Sequence, residues 1–270
     1  MKGVARFVSL VVLAGLAGCA TTTTTTTTGP ISDVRTVQAA TPEDGDAKRR
    51  AQVRLELASA YFGNNQMDVA LQEVNRAIAA DPNLGTAYNL RGLIHANLGK
   101  DAPAESDFRR ALAINARDAD AMQNYGWYLC QHKRYGEANA QFVQALSVPQ
   151  RRDTSRTLLA QGVCHALNGQ LEDAENALQR AYQLEPNNPS TSVNLAEVLL
   201  RRGEADRARF HIRRVNANAN YVSAQTLWLA ARIEHKLGNK TGVEELGRQL
   251  QSRYRETREA IAFERGQFDE

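Results

Sequence analysis

Three cysteines and five histidines are the side chains of this 270-residue chain best suited to chemistry, as nucleophiles, redox partners or metal ligands. Cys19 closes an apolar run from Phe7 to Ala17 that follows Lys2 and Arg6, in the context Leu16-Ala17-Gly18-Cys19. Cys130 and Cys164 stand 34 residues apart. The histidines, His95, His132, His165, His211 and His235, are scattered without metal-ligand spacing. No phosphate loop, nucleophile elbow or zincin helix occurs, and the carboxylates fall mainly in turns and on predicted outer helix faces. The expectation is therefore no enzyme, no cofactor, no metal and no small-molecule substrate.

The apolar run is too short for a bilayer span of about 20 residues, so it reads as a removable signal. It resembles the bacterial lipoprotein signal. That resemblance implies a signal peptide at 1–18, Cys19 as the acylated, palmitate-bearing first residue, and, with Ala20 rather than aspartate next, sorting to the outer membrane facing the periplasm. Several acyl chains make such an anchor stable where one does not. An ordinary secretory signal with an incidental cysteine is the alternative.

Thr21 to Thr28, Gly29, Pro30 and a polar stretch to Asp46 cannot bury a core, so 19–46 reads as a disordered tether. A glycosylated threonine stalk is its alternative. Without Lys2 and Arg6, the 33 basic side chains fall to 31 against 30 acidic ones. The mature chain is then nearly neutral, which gives no support to nucleic-acid binding or to attraction by anionic lipid.

These residues need elements to hold them, and an alanine beat supplies those elements. Ala70, Ala104 and Ala138 are 34 residues apart, Ala174 follows after 36, and Ala208 after 34. Ala77, Ala111, Ala145 and Ala181 repeat the beat seven residues later, two helical turns on, where neighbouring helices must approach closely. The pattern resembles the tetratricopeptide repeat. The fold expected is all-α: a right-handed superhelical solenoid of six helix pairs over 47–256, with units at about 51–84, 85–118, 119–154, 155–188, 189–222 and 223–256, and a helical cap at 257–270. Leu57, Ala58 and Tyr61, then Gly92 and Phe108, then Tyr125, Gly126, Leu129 and Phe142, then Gly162 and Leu178, then Leu195, Ala196 and Ile212 match the family's large and small positions. The sixth unit is weaker, with Gly242 and Gln249 where the two alanines belong. Gly99, Gly169, Gly203 and Gly238 mark the turns inside the pairs.

In that register His95 and His165 take a position usually aromatic, so packing is favoured over ligation. Arg201, Arg202, Arg207, Arg209, Arg213 and Arg214 crowd the fifth unit. Glu204 and Asp206 interrupt them, which favours a solvated surface over a patch for an acidic partner. The concave positions of the first helices hold Leu55 and Phe62, Asn89 and Leu93, Gln123 and Trp127, and Leu159 and Val163. Large apolar side chains on a face that should be wet predict a groove for a protein segment; packing against neighbouring helices is the other reading. Cys130 and Cys164, the cysteines left after acylation, fall at positions 12 and 10 of adjacent first helices that run side by side. A disulfide is expected in an oxidising compartment, with two buried thiols as the alternative.

A lipidated cysteine, a low-complexity tether and six such units, with Asn124-Tyr125-Gly126-Trp127-Tyr128-Leu129-Cys130 and the paired Cys164, resemble the PilF/PilW pilotin family of type IV pilus biogenesis lipoproteins. The resemblance implies an outer-membrane lipoprotein that binds subunits of the pilus secretin and promotes their localisation and assembly. An adaptor for peptidoglycan enzymes or for outer-membrane-protein assembly is the runner-up, and an envelope hydrolase on a helical scaffold the third.

Overall fold

The computed structural model describes residues 42–149 and 153–268. Cys19 and most of the expected tether lie outside them. Thirteen helices and no strand are present among the described residues. They run in pairs: α1 (Pro42–Gly63) with α2 (Met67–Ala80), α3 (Gly85–Asn97) with α4 (Asp101–Ile114), and α5 (Ala119–Gln131) with α6 (Tyr135–Ser147). α7 (Thr154–Leu167) with α8 (Leu171–Leu184), α9 (Pro189–Arg201) with α10 (Ala205–Asn216), and α11 (Ala224–Lys236) with α12 (Lys240–Arg253) complete them before α13 (Arg258–Glu264). The first helix takes in 42–46, which composition assigns to the tether, because Pro42 stands at its first position, where a missing N–H costs nothing.

Each helix packs on the next in sequence, and each odd-numbered helix from α1 to α11 also touches the next odd-numbered one. Among the described residues the backbones of the even-numbered helices stand further apart, and side chains bridge the gap, as between α8 and α10. Helices that crowd their alternate neighbours form the inner layer of a curved stack, and those that splay apart form the outer layer. The inner face therefore belongs to α1, α3, α5, α7, α9 and α11.

Small residues set how closely the layers approach. Every alanine of the beat is fully buried. Within the second, third and fourth pairs a glycine of the inner helix meets a large side chain of the outer one: a Cβ would lie 2.9 Å from Phe108 at Gly92, 3.0 Å from Phe142 at Gly126, and 2.6 Å from Leu178 at Gly162. The first and fifth pairs use Ala58 with Val74 and Ala196 with Ile212, a methyl against a β-branched aliphatic chain.

The turns inside the pairs need a left-handed residue. Gly99, Gly169, Gly203 and Gly238 supply it, while Asn65 and Lys133, at φ 59° and 60°, fill the same place in the first and third pairs. The sixth pair starts one residue later than the alanine spacing puts it. Ser223 is the N-cap of α11, in a reciprocal capping box with Thr226. With that shift Val243 and Leu250, rather than Gly242 and Gln249, take the alanine positions, and Leu250 and Gly247 are the buried residues of α12. Leu57 is 40% exposed, because its position packs on a preceding pair and no helix precedes α1 among the described residues.

Candidate functional site

An open groove of about 380 Å³ lies on the inner face across α5, α7 and α9. Gln123, Asn124 and Trp127 of α5 form one wall, Arg156, Leu159, Ala160 and Val163 of α7 the floor, and Asn194 of α9 the far rim. Asp118 caps α5, its carboxylate accepting from the N–H groups of Asp120 and Ala121. Asn188, with Pro189 behind it, does the same for α9. Both caps start helices whose second and later turns line the groove.

The structure thus gathers four of the eight side chains the sequence puts on the concave face: Gln123, Trp127, Leu159 and Val163. Gln123 is itself buried and accepts from the Thr157 hydroxyl, so it ties α5 to α7 beneath the opening. The other four stand elsewhere. Leu55 is in the core formed with Ala58, Val74 and Leu90, and Phe62 packs on that core's edge. Leu93 packs on the next core, beside Phe108 and Leu129. Asn89 is buried and accepts a hydrogen bond from Asn124 Nδ2 at 3.2 Å. Leu55 is therefore a core residue rather than a groove residue, while Phe62 and Leu93 are half-buried against cores and stand outside the lining of the α5–α9 groove.

Asn124, Arg156, Ala160 and Asn194 were not read as groove residues. Three of them share position 6 of their units, next to the position of Gln123 and Leu159, and Arg156 is at position 2. Asn194 Nδ2 donates to the Ser190 carbonyl at 2.8 Å. Arg156 is exposed and has no ion-pair partner among the described residues. The groove offers an aromatic and aliphatic floor, amides at its rims and one positive charge. Such a surface suits an extended peptide, whose backbone needs amide partners and whose side chains need an apolar floor.

Cys130 of α5 and Cys164 of α7 are bonded, with Cα atoms 5.8 Å apart. Cys130 lies one turn from Trp127 and Cys164 beside Val163, so the bridge clamps the two helices that line the groove. Converting both cysteines to alanine is expected to lower the unfolding free energy by about 2 to 4 kcal/mol, chiefly by freeing the unfolded chain. Urea unfolding of the variant checks this, and an unchanged midpoint would show that the bridge adds nothing.

The remaining candidate residues are structural. The arginines of the fifth pair are engaged: Arg202 and Arg207 with Glu175 and Glu204, Arg209 with Asp206, and Arg213 with Glu234 at 2.9 Å. Arg214 donates to the Tyr182 hydroxyl, and Arg201 to the Ala166 carbonyl. They bind the fourth, fifth and sixth pairs together, and charges already spent on neighbours do not form a free patch. His95 contacts Asp107 at 3.0 Å, and His165 contacts Gln170. His211 is buried edge-on to Tyr182, and burial, with Arg207 and Arg214 nearby, pushes its pKa below the usual range. Burial opposes the charge on Glu105, but hydrogen bonds from Arg134 and Tyr125 overcome it and hold the carboxyl below its ordinary value. No group of three or more His, Cys, Asp or Glu among the described residues is arranged to hold a metal ion. No helix among them is long and apolar enough to cross a membrane.

Comparison with known proteins accords with this architecture. Two tetratricopeptide repeat family models match, one over residues 55–121 and 125–190 and the other over 165–234. The type IV pilus assembly protein PilF of Pseudomonas aeruginosa is 24% identical over 214 residues, covering 79% of this chain and 84% of that protein. The crystal structure of PilW, described as a widely conserved type IV pilus biogenesis factor, superposes with a TM-score of 0.74 at 28% identity, over 78% of this chain and 97% of PilW. The P. aeruginosa PilF structure gives a TM-score of 0.74 at 21% identity, over 82% and 99% of the two chains.

Proposed function

The chain belongs to the tetratricopeptide-repeat family and is homologous to PilF, and from that premise we propose that it is a pilotin of type IV pilus biogenesis. In this reading Cys19 is lipidated, the chain is held at the periplasmic face of the outer membrane, and the inner-face groove binds subunits of the pilus secretin to promote their localisation and assembly. Proteins of this repeat family act by holding other proteins, and the homologues PilF and PilW are named for type IV pilus assembly and biogenesis. The observation that carries the reading is the open groove at Trp127, Leu159 and Val163, with its apolar floor. A secretin segment on that floor would be taken out of water before the ring of subunits closes, which is what a subunit destined for a membrane needs on its way there.

The test is the secretin itself. A strain lacking the chain is expected to lose most secretin multimers from its outer-membrane fraction, with recovery on expressing the intact chain and not the Cys19→Ser variant. Normal multimer levels in the deletion strain would overturn the reading, and full rescue by Cys19→Ser would remove the lipid anchor from it.

A further inference from the structure

Beyond α9 the inner face is occupied by the chain's own C-terminal residues. Phe268, a short turn past α13, stacks on His235 with ring centroids 4.2 Å apart and planes 11° apart. The same ring lies 5.3 Å from Trp228 and meets Phe263 edge-on at 5.7 Å. Its backbone carbonyl accepts a hydrogen bond from Arg232 Nε at 3.4 Å, and Arg232 Nη1 in turn pairs with Glu197 Oε2 of α9 at 3.0 Å.

Trp228, Arg232 and His235 are spaced i, i+4 and i+7, so they form one stripe of α11. Counted back from the left-handed glycines that follow α11 and α7, Gly238 and Gly169, Trp228 and Arg232 hold the positions that Leu159 and Val163 hold in the groove floor. The stripe that is open on α5 and α7 therefore continues onto α11, where an aromatic side chain and a backbone carbonyl already sit on it. Those are the groups an extended peptide presents.

The C-terminal cap is anchored independently of this contact. Ala260 is fully buried, and the Phe263 ring covers Gly247 so closely that a Cβ there would lie 2.0 Å from it. Beside Trp228 an open cleft of about 590 Å³ reaches Ile261 and Arg265, leaving room around the ring. We propose that Trp228, Arg232 and His235 form a second peptide site at the end of the inner face, selective for an aromatic residue in an extended segment, and that the chain's own tail fills it in cis. A partner segment lying along α5 to α9 ends at α11 while the tail is in place, and gains an aromatic anchor when it displaces the tail. This site stands whether or not the partner is a secretin.

The probe is a synthetic peptide of residues 262–270, followed by the indole N–H resonance of Trp228 in the lipid-free folded chain. A tail held at the millimolar effective concentrations of a short tether stays docked only if its affinity in trans is about 1 mM or tighter. In the Phe268→Ala variant the Trp228 resonance is expected to move, and the added peptide to return it towards its position in the intact chain. The peptide with alanine in place of its second phenylalanine is expected to have no effect, and the intact chain to respond at least tenfold more weakly. Phe268→Leu, which keeps apolar contact for the cap, serves if the alanine variant unfolds. No response of either folded variant at about 5 mM peptide, or an equal response from the intact chain, overturns the proposal.

Discussion

Phe142→Ala is expected to lower the free energy of unfolding by about 3 to 5 kcal/mol, the range for removing a fully buried aromatic ring. The ring fills the space opposite Gly126, which has no side chain to give back, so the cavity cannot be closed by small movements of α5. Ala138 and Ala145, one turn to either side on α6, already hold the helices at their closest approach. The reciprocal change argues the same way. Gly126→Ala puts a methyl 3.0 Å from the Phe142 ring and 3.2 Å from the Ala138 carbonyl, for an expected cost of about 1 to 3 kcal/mol. In the double variant Gly126→Ala with Phe142→Leu, part of that cost should return, because the two sites share one space. Urea unfolding of the four proteins measures it. A loss under about 1 kcal/mol for Phe142→Ala would mean that the pair can collapse on itself and that the interlock is not what fixes the spacing.

The periodic part of this structure was legible because the packing is periodic. An alanine that must lie between two helices recurs at the spacing of the helix pairs, and all of those alanines are buried. The glycines opposite Phe108, Phe142 and Leu178 were visible for the same reason. The failures came where a local interaction overrides the period. The capping box of Ser223 and Thr226 moves the sixth pair by one residue, which exchanges Gly242 and Gln249 for Val243 and Leu250. Phe268 belongs to no repeat, so its placement on His235 and Trp228 left no periodic trace.

The groove was half legible. Family register places a residue on the inner face of its helix, and Trp127, Leu159 and Val163 follow it. Register does not tell whether a side chain on that face stays open or turns into the gap beside the next inner helix. Leu55 closes against Leu90 and Val74, and Asn89 is taken up by Asn124, because the first pairs meet with small and polar neighbours that leave room for them. In the fifth pair the sequence showed six arginines, while their partners Glu175 and Glu234 come from the pairs on either side. Such pairing is a property of the stack, and one unit read alone does not contain it.

The second large effect concerns binding. Replacing Trp127 with alanine and Val163 with serine is expected to weaken capture of the proposed secretin partner by more than 100-fold. A buried tryptophan anchor in an interface is worth about 2 to 4 kcal/mol on truncation, and each 1.4 kcal/mol is tenfold. Trp127 is only partly buried against the core of the third pair, and Val163 lines the open groove, so most of the fold is untouched. The matched control is Phe62→Ser with Leu93→Ser, since both side chains pack on core clusters and neither lines the groove. That variant is expected to lose about 2 to 5 kcal/mol of stability and to keep its affinity in the molecules that remain folded. Unfolding curves and binding isotherms on both proteins, corrected for the folded fraction, separate the two roles. If the Phe62 and Leu93 variant loses the partner while the Trp127 and Val163 variant holds it, the binding surface lies towards the N-terminal pairs and the groove between α5 and α9 serves something else.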